Sequence, residues 1–124
     1  MAQLPHSIEL HDSEISRIES IDGNVHIDFK PAYIHKDGSG WLQDIEVVIY
    51  KATLSNLENN FPIKVYDGRL KTELGPYHNL LEIPFSTEGK VEFEIETEDD
   101  SVIKINGTGV EHYFTNEPIF LEKC

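Results

Sequence analysis

Cysteine occurs once in the 124 residues, as the final Cys124. An internal disulfide and a thiolate metal cluster are both excluded. Long apolar runs are missing too; the longest span a few residues, against the ~20 that a membrane-spanning helix needs. Met1 to Leu10 already include Pro5, His6 and Glu9 and have no basic stretch ahead of an apolar one. No secretory leader is predicted, and a cytoplasmic location is expected. Positive charge is scarce: 10 Lys and Arg stand against 23 Asp and Glu, a net charge of −13. Such a chain repels phosphate backbones, so nucleic acid is not an expected partner, and without a spanning apolar run neither is a membrane.

What is present is ordinary for a globular domain, with 39% hydrophobic and 27% charged residues. The length predicts one domain, 1–124, that hides roughly two-thirds of its unfolded surface. Alternation is the main signal. Val91, Phe93 and Ile95 alternate with Glu92, Glu94 and Glu96; Val25, Ile27 and Phe29 with His26, Asp28 and Lys30; Ile45, Val47 and Ile49 with Asp44 and Glu46. Period two is the mark of half-buried strands.

Further strands are predicted at Ile63 to Tyr66, Arg69 to Thr72, Asn79 to Phe85, Val102 to Asn106, Val110 to Phe114 and Ile119 to Glu122. Turn signals separate them at Asp22-Gly23-Asn24, Asp37-Gly38-Ser39-Gly40, Asp67-Gly68, Gly75-Pro76, Glu88-Gly89, Asp99-Asp100-Ser101 and Asn116-Glu117-Pro118. Asn106-Gly107-Thr108 reads as a strand-end turn. Ile15, Ile18 and Ile21 recur at every third position, and a bulged strand is favoured over a short helix for Glu14 to Ile21. Ser55 to Asn60 reads as a loop or a single helical turn. The fold expected is all-β, an antiparallel sandwich or flattened barrel of about eight to ten strands with little helix.

His11-Asp12-Ser13, Pro31-Ala32-Tyr33-Ile34-His35, Gly40-Trp41-Leu42-Gln43 and Asp67-Gly68-Arg69-Leu70 occur in that order, followed by Asn79 to Pro84 and Glu117 to Glu122. In this order the chain resembles, over nearly its whole length, an uncharacterised family of small all-β bacterial proteins. The resemblance implies a bacterial origin and no activity, so it supplies no catalytic residue to carry over.

Candidate chemistry must come from the residues. Six histidines are many for this length, and imidazole is a common transition-metal ligand. They lack His-x-His or His-Glu-x-x-His spacing, so a metal site would be assembled from separate strands, with His11, Asp12 and His35 as the candidates. The plainer use of His11-Asp12-Ser13 is a turn with Asp12 or Ser13 bonded to backbone. Ser13, His11 and Asp12 do not make a hydrolytic triad, because adjacent residues of an extended chain point apart.

Gln43 shares parity with the apolar Trp41, Ile45 and Val47, and Asn79 with Leu81, Ile83 and Phe85. If Pro31 does not bulge its strand, Tyr33 and His35 also stay in phase with Val25, Ile27 and Phe29 and face inward. Polar groups converging beside Trp41 would line a small ligand pocket made of His11, Asp12, Tyr33, His35, Trp41, Gln43 and Asn79. The plainer reading has the amides satisfying backbone at strand ends. The Glu88 to Asp100 run is read as a solvated strand face, since Asp99-Asp100-Ser101 supplies only the start of a calcium loop.

The function expected is a non-catalytic binding or protein-interaction module, without a cofactor, for a basic protein surface or a small ligand. The alternative is a small metal-assisted hydrolase or isomerase using the His/Asp cluster. A homodimer through an edge strand is compatible with both.

Overall fold

Half-burial explains the strongest strand: Val91, Phe93 and Ile95 are buried to 1% or less, while Glu92, Glu94 and Glu96 between them stay partly exposed. The computed structural model of the chain describes residues 6–36, 38–55, 61–73, 75–78, 80–83, 86–117 and 119–123. Asn79, residues 56–60 of the predicted loop, and Cys124 lie outside the described residues. Eleven strands follow in order. They are β1 (His6–Glu9), β2 (Glu14–Ile21), β3 (Asn24–Lys36), β4 (Ser39–Ile49), β5 (Thr53–Ser55) and β6 (Ile63–Thr72). After these come β7 (Gly75–His78), β8 (Leu80–Ile83), β9 (Ser86–Thr97), β10 (Val102–Phe114) and β11 (Ile119–Lys123).

All pairings are antiparallel, and six strands pair in a circle: β2 with β3, β3 with β4, β4 with β10, β10 with β9, β9 with β6, and β6 with β2. The circle is the predicted flattened barrel. Its seam between β2 and β6 is short, two register pairs (Glu14↔Lys64 and Ile15↔Ile63) reinforced by the Val65 amide donating to the Ser13 carbonyl at 3.0 Å. The lumen is filled by Ile15, Ile18, Val25, Ile27, Phe29, Ile45, Val47, Ile49, Val65, Leu70, Phe93, Ile95, Ile103, Ile105 and Val110, all buried.

Outside the circle, the long β3–β4 hairpin carries two additions. β1 pairs with the second half of β3 and is itself flanked by β8, while β11 pairs with the first half of β4. The hairpin turns at Gly38, which has φ 72°, and Lys36 pairs with Ser39. Asp22-Gly23 acts likewise between β2 and β3, with φ 52° and 81°, both left-handed as a two-residue hairpin turn requires.

β2 is a strand, and its three-residue isoleucine spacing comes from a register shift between Ile15 and Arg17, which returns Ile18 to the inside. Other turn signals prove to be bulges. Asp67-Gly68 does not end a strand but sits inside β6, beside a shift between Val65 and Asp67. Glu88-Gly89 and Asn106-Gly107-Thr108 lie inside β9 and β10, at a shift between Thr108 and Val110. At Gly75-Pro76 a strand begins: Thr72 pairs with Gly75 as β7 folds back on β6. Gly and Asp mark irregular backbone in each case, and continuing ladder bonds on both sides make it a bulge.

The bulge that matters most is in β3. Phe29 pairs with Ile45 and Ala32 with Gln43, so β3 spends one residue more than β4 across Lys30-Pro31. The pleat changes phase, and Ala32 and Ile34 become buried where Tyr33 and His35 were expected to face inward. That expectation is corrected: Pro31 does bulge the strand, and Tyr33 and His35 lie on the opposite face.

The acidic face of β9 has basic neighbours. Arg69 and Lys104 pair with Glu94, Lys71 pairs with Glu92, and the Lys90 ammonium lies 3.4 Å from Glu92. Cross-strand pairing of opposite charge is the ordinary arrangement of a solvated face. At its end Asp99 accepts from the Ser101 amide at 3.2 Å and from the Thr97 hydroxyl, closing the turn.

Leu10 fixes one further detail. A Cβ on Gly68 would stand 2.7 Å from Leu10 Cδ1, so the bulge in β6 uses glycine because the side chain of Leu10 occupies that space. Gly68→Ala should lower unfolding stability in urea by about 1–3 kcal/mol through overpacking. Leu10→Val in the same chain should recover part of that loss, and strict additivity of the two changes would contradict the contact.

Candidate functional site

On β1, Ile8 is buried and opposite Ile34, which turns Ser7 and Glu9 to the other face. Leu10 then enters the core, and the chain reverses in a tight turn in which the Ser13 amide donates to the Leu10 carbonyl at 3.1 Å. Asp12 takes φ 79°, a left-handed conformation that a short polar side chain tolerates. The predicted turn is therefore present, and it places His11 and Asp12 beside Glu9.

Register supplies the rest. Glu9 pairs with Tyr33 and Ser7 with His35, so Glu9 and His35 are diagonal neighbours on one face, the face to which the β3 bulge delivers Tyr33 and His35. The Glu9 carboxylate lies between two imidazoles: Oε1 is 2.9 Å from His11 Nε2 and Oε2 is 2.5 Å from His35 Nε2. His11 Nε2 is also 3.5 Å from Asp12 Oδ2. One ligand atom each from Glu9, His11 and Asp12 fall within 4.8 Å of one another. The Glu9 side chain is 17% exposed, so the hub is shielded, whereas that of Asp12 is 60% exposed and opens the group to solvent.

The electrostatics are unbalanced. His11 Nε2 lies closer to Glu9, at 2.9 Å, than to Asp12, at 3.5 Å, and the Asp12 carboxylate is the one left to solvent. Two carboxylates around one imidazole attract a cation. The other ring nitrogen of His11, Nδ1, is buried without a hydrogen-bond partner, so the ring is fixed through Nε2 alone.

Ser13 is fully buried and structural. Its hydroxyl donates to the Glu9 carbonyl at 2.6 Å and accepts from the Tyr33 amide at 3.0 Å, tying β1, the turn and β3 together. The Tyr33 ring packs 5.0 Å from that of His35 and covers Gly40, where any Cβ would collide with it.

Trp41 and Gln43 are not in this group. Trp41 pairs with Ile34 and Gln43 with Ala32, both core-side residues, so they face away from His35. Trp41 meets Phe120 edge-on at 5.3 Å, and Gln43 Nε2 donates to the Asn116 carbonyl at 2.9 Å, the strand-end duty of a partly buried amide. The single pocket predicted is thus split in two, with His11, Asp12, Tyr33 and His35 together and Trp41 and Gln43 across the sheet. Glu9, the centre of the first group, was not among the predicted residues. Its signal was Glu9-x-His11, a carboxylate and an imidazole in phase on a short strand whose other face carries Ile8 and Leu10.

A second polar cluster joins Tyr50, Glu111 and Tyr113. Tyr50 donates to Glu111 at 2.8 Å, and Tyr113 also bonds that carboxylate. Hydrogen bonding to Tyr113 first, and to Glu111 next, pushes the Tyr50 phenol above its ordinary pKa, so it stays protonated and is no base. His26 and His78 pair with Glu46 and Asp67 at 3.5 and 2.8 Å on the exposed face. No helix among the described residues is long and apolar enough to cross a membrane.

Comparison with known family models, with curated proteins and with solved structures finds no match for this chain. Its function is therefore to be read from its own geometry.

Ser13→Ala removes the link between the Glu9 carbonyl and the Tyr33 amide, leaving that buried N–H unsatisfied. A loss of about 1–3 kcal/mol in denaturant unfolding is expected; an unchanged midpoint would show that Ser13 does not hold the site together.

Proposed function

We propose that the protein is a binding module for a divalent transition-metal ion, held by Glu9, His11 and Asp12 at the turn between β1 and β2. The observation that carries this reading is the spacing of the donors. Ligands about 2.0–2.2 Å from one ion in tetrahedral or octahedral array stand ~3 Å apart, and His11 Nε2 lies 2.9 Å from Glu9 Oε1 and 3.5 Å from Asp12 Oδ2. An imidazole with two carboxylates suits zinc or manganese better than calcium, which prefers a full oxygen shell. His35 acts on the second oxygen of Glu9, orienting it, as the outer partners of metal ligands do.

A binding role is favoured over the metal-assisted hydrolase or isomerase by the state of the buried hydroxyl behind the group. Ser13 already uses its proton on the Glu9 carbonyl.

Native mass spectrometry and calorimetric titration with zinc chloride should give one ion per chain. Asp12→Asn keeps the left-handed turn and removes the charge, and should abolish binding. His35→Ala should weaken binding about 10–100-fold while leaving one ion per chain. If zinc and manganese both leave the mass and the melting temperature of the wild-type protein unchanged, the proposal fails.

A further inference from the structure

β10 and β11 run in line along the same edge of β4: Val110 to Phe114 pair with Ile49 to Ile45, and Ile119 to Lys123 continue from Leu42 to Ser39. β9 flanks β10 only as far as the Glu111↔Ser86 pair. Beyond it, among the described residues, no strand pairs with the outer edge of β11, which ends the sheet order. This open edge is apolar. Phe114 is 46% exposed, Ile119 63% and Phe120 51%, and the Phe120 ring rests on Trp41, itself packed against the core.

The approach to the edge is anchored at Thr115 and Asn116. Asn116 accepts from the Asp44 amide at 2.8 Å through its side chain and from Gln43 at 2.9 Å through its carbonyl, while the Thr115 amide donates to the Asp44 carbonyl at 3.0 Å. Thr115 and Asn116 are thus pinned to β4, and these residues need no ordering on binding. Charge selects the occupant. Residues 39–49 and 110–123 contain Asp44, Glu46, Glu111, Glu117 and Glu122 against the single basic Lys123, within a chain of net charge −13. A second copy would bring like charges together; a basic segment would neutralise them.

We propose that an extended segment of a basic partner protein adds to this edge as a strand. Its main chain pairs with β11, its apolar side chains lie on Phe114 and Phe120, and its lysines or arginines face Glu117. This is strand addition, in which backbone bonds supply affinity and alternate side chains supply specificity. Phe120 and Trp41 lie across the sheet from the Glu9 group, and the surface does not depend on a metal.

Trp41 is the single tryptophan, so its fluorescence reports on this surface directly. The probe is a short blocked peptide alternating lysine and leucine, and its control replaces lysine by glutamate. The expected result is a saturable change in Trp41 emission with the lysine peptide and none with the control. Affinity should fall about tenfold in Phe120→Ala, a change at a half-exposed side chain, and also in Glu117→Lys, which leaves the apolar face intact. Hydrogen-exchange protection should be confined to β11 and the end of β10. Protection spread over the acidic face of β9, undiminished affinity in both variants, or a concentration-dependent dimer of the unliganded protein in sedimentation would each overturn the proposal.

Discussion

One extra residue in β3 sets the geometry of this molecule. A pleated strand assigns alternate side chains to alternate faces, and adding a residue exchanges the faces from that point on. Before Lys30-Pro31, Val25, Ile27 and Phe29 face the barrel interior; after it, Ala32 and Ile34 are the buried core-side residues, and Tyr33 and His35 turn to the opposite face. Without that shift, His35 would point into an apolar core with no carboxylate in reach. With it, the second half of β3 offers β1 an apolar contact, Ile8 on Ile34, and a polar one, His35 on Glu9.

The polar group is built by several weak constraints acting at one place. The Leu10–Ser13 turn holds His11 and Asp12 near Glu9, β1–β3 register sets Glu9 against His35, and Ser13 fastens strand to strand from beneath. Residue type follows local need, with an aspartate where φ is positive and a serine where one atom must both donate and accept. The charge that results is local and net negative, and that is what gives the group an affinity for cations.

Alternation made the β class and the main strands legible, because half-buried strands write their burial into the chain at period two. Bulges were less so. Asp67-Gly68, Glu88-Gly89 and Asn106-Gly107 carry the residues of turns, and only the pairing partner on the far side decides between a turn and a bulge. Ile15 and Ile18 were the exception, since the broken spacing of apolar residues exposes the shift. His11, Asp12 and His35 were identified as possible companions from residue type alone. Glu9 was hidden because β1 is four residues long, too short for a period to register. Trp41 and Gln43 were grouped with His35 for want of the phase change at Pro31.

The seam between β2 and β6 gives the barrel an unequal wall. Five of the six joints around the circle run along five or more register pairs, and the sixth rests on Glu14↔Lys64 and Ile15↔Ile63. A cylinder with one narrow weld behaves as a curled sheet clasped at a point, and the clasp is Ser13 and Val65, directly under the turn that carries His11 and Asp12. Whatever tightens that turn tightens the hoop, so the exposed group and the closure of the wall are mechanically one element.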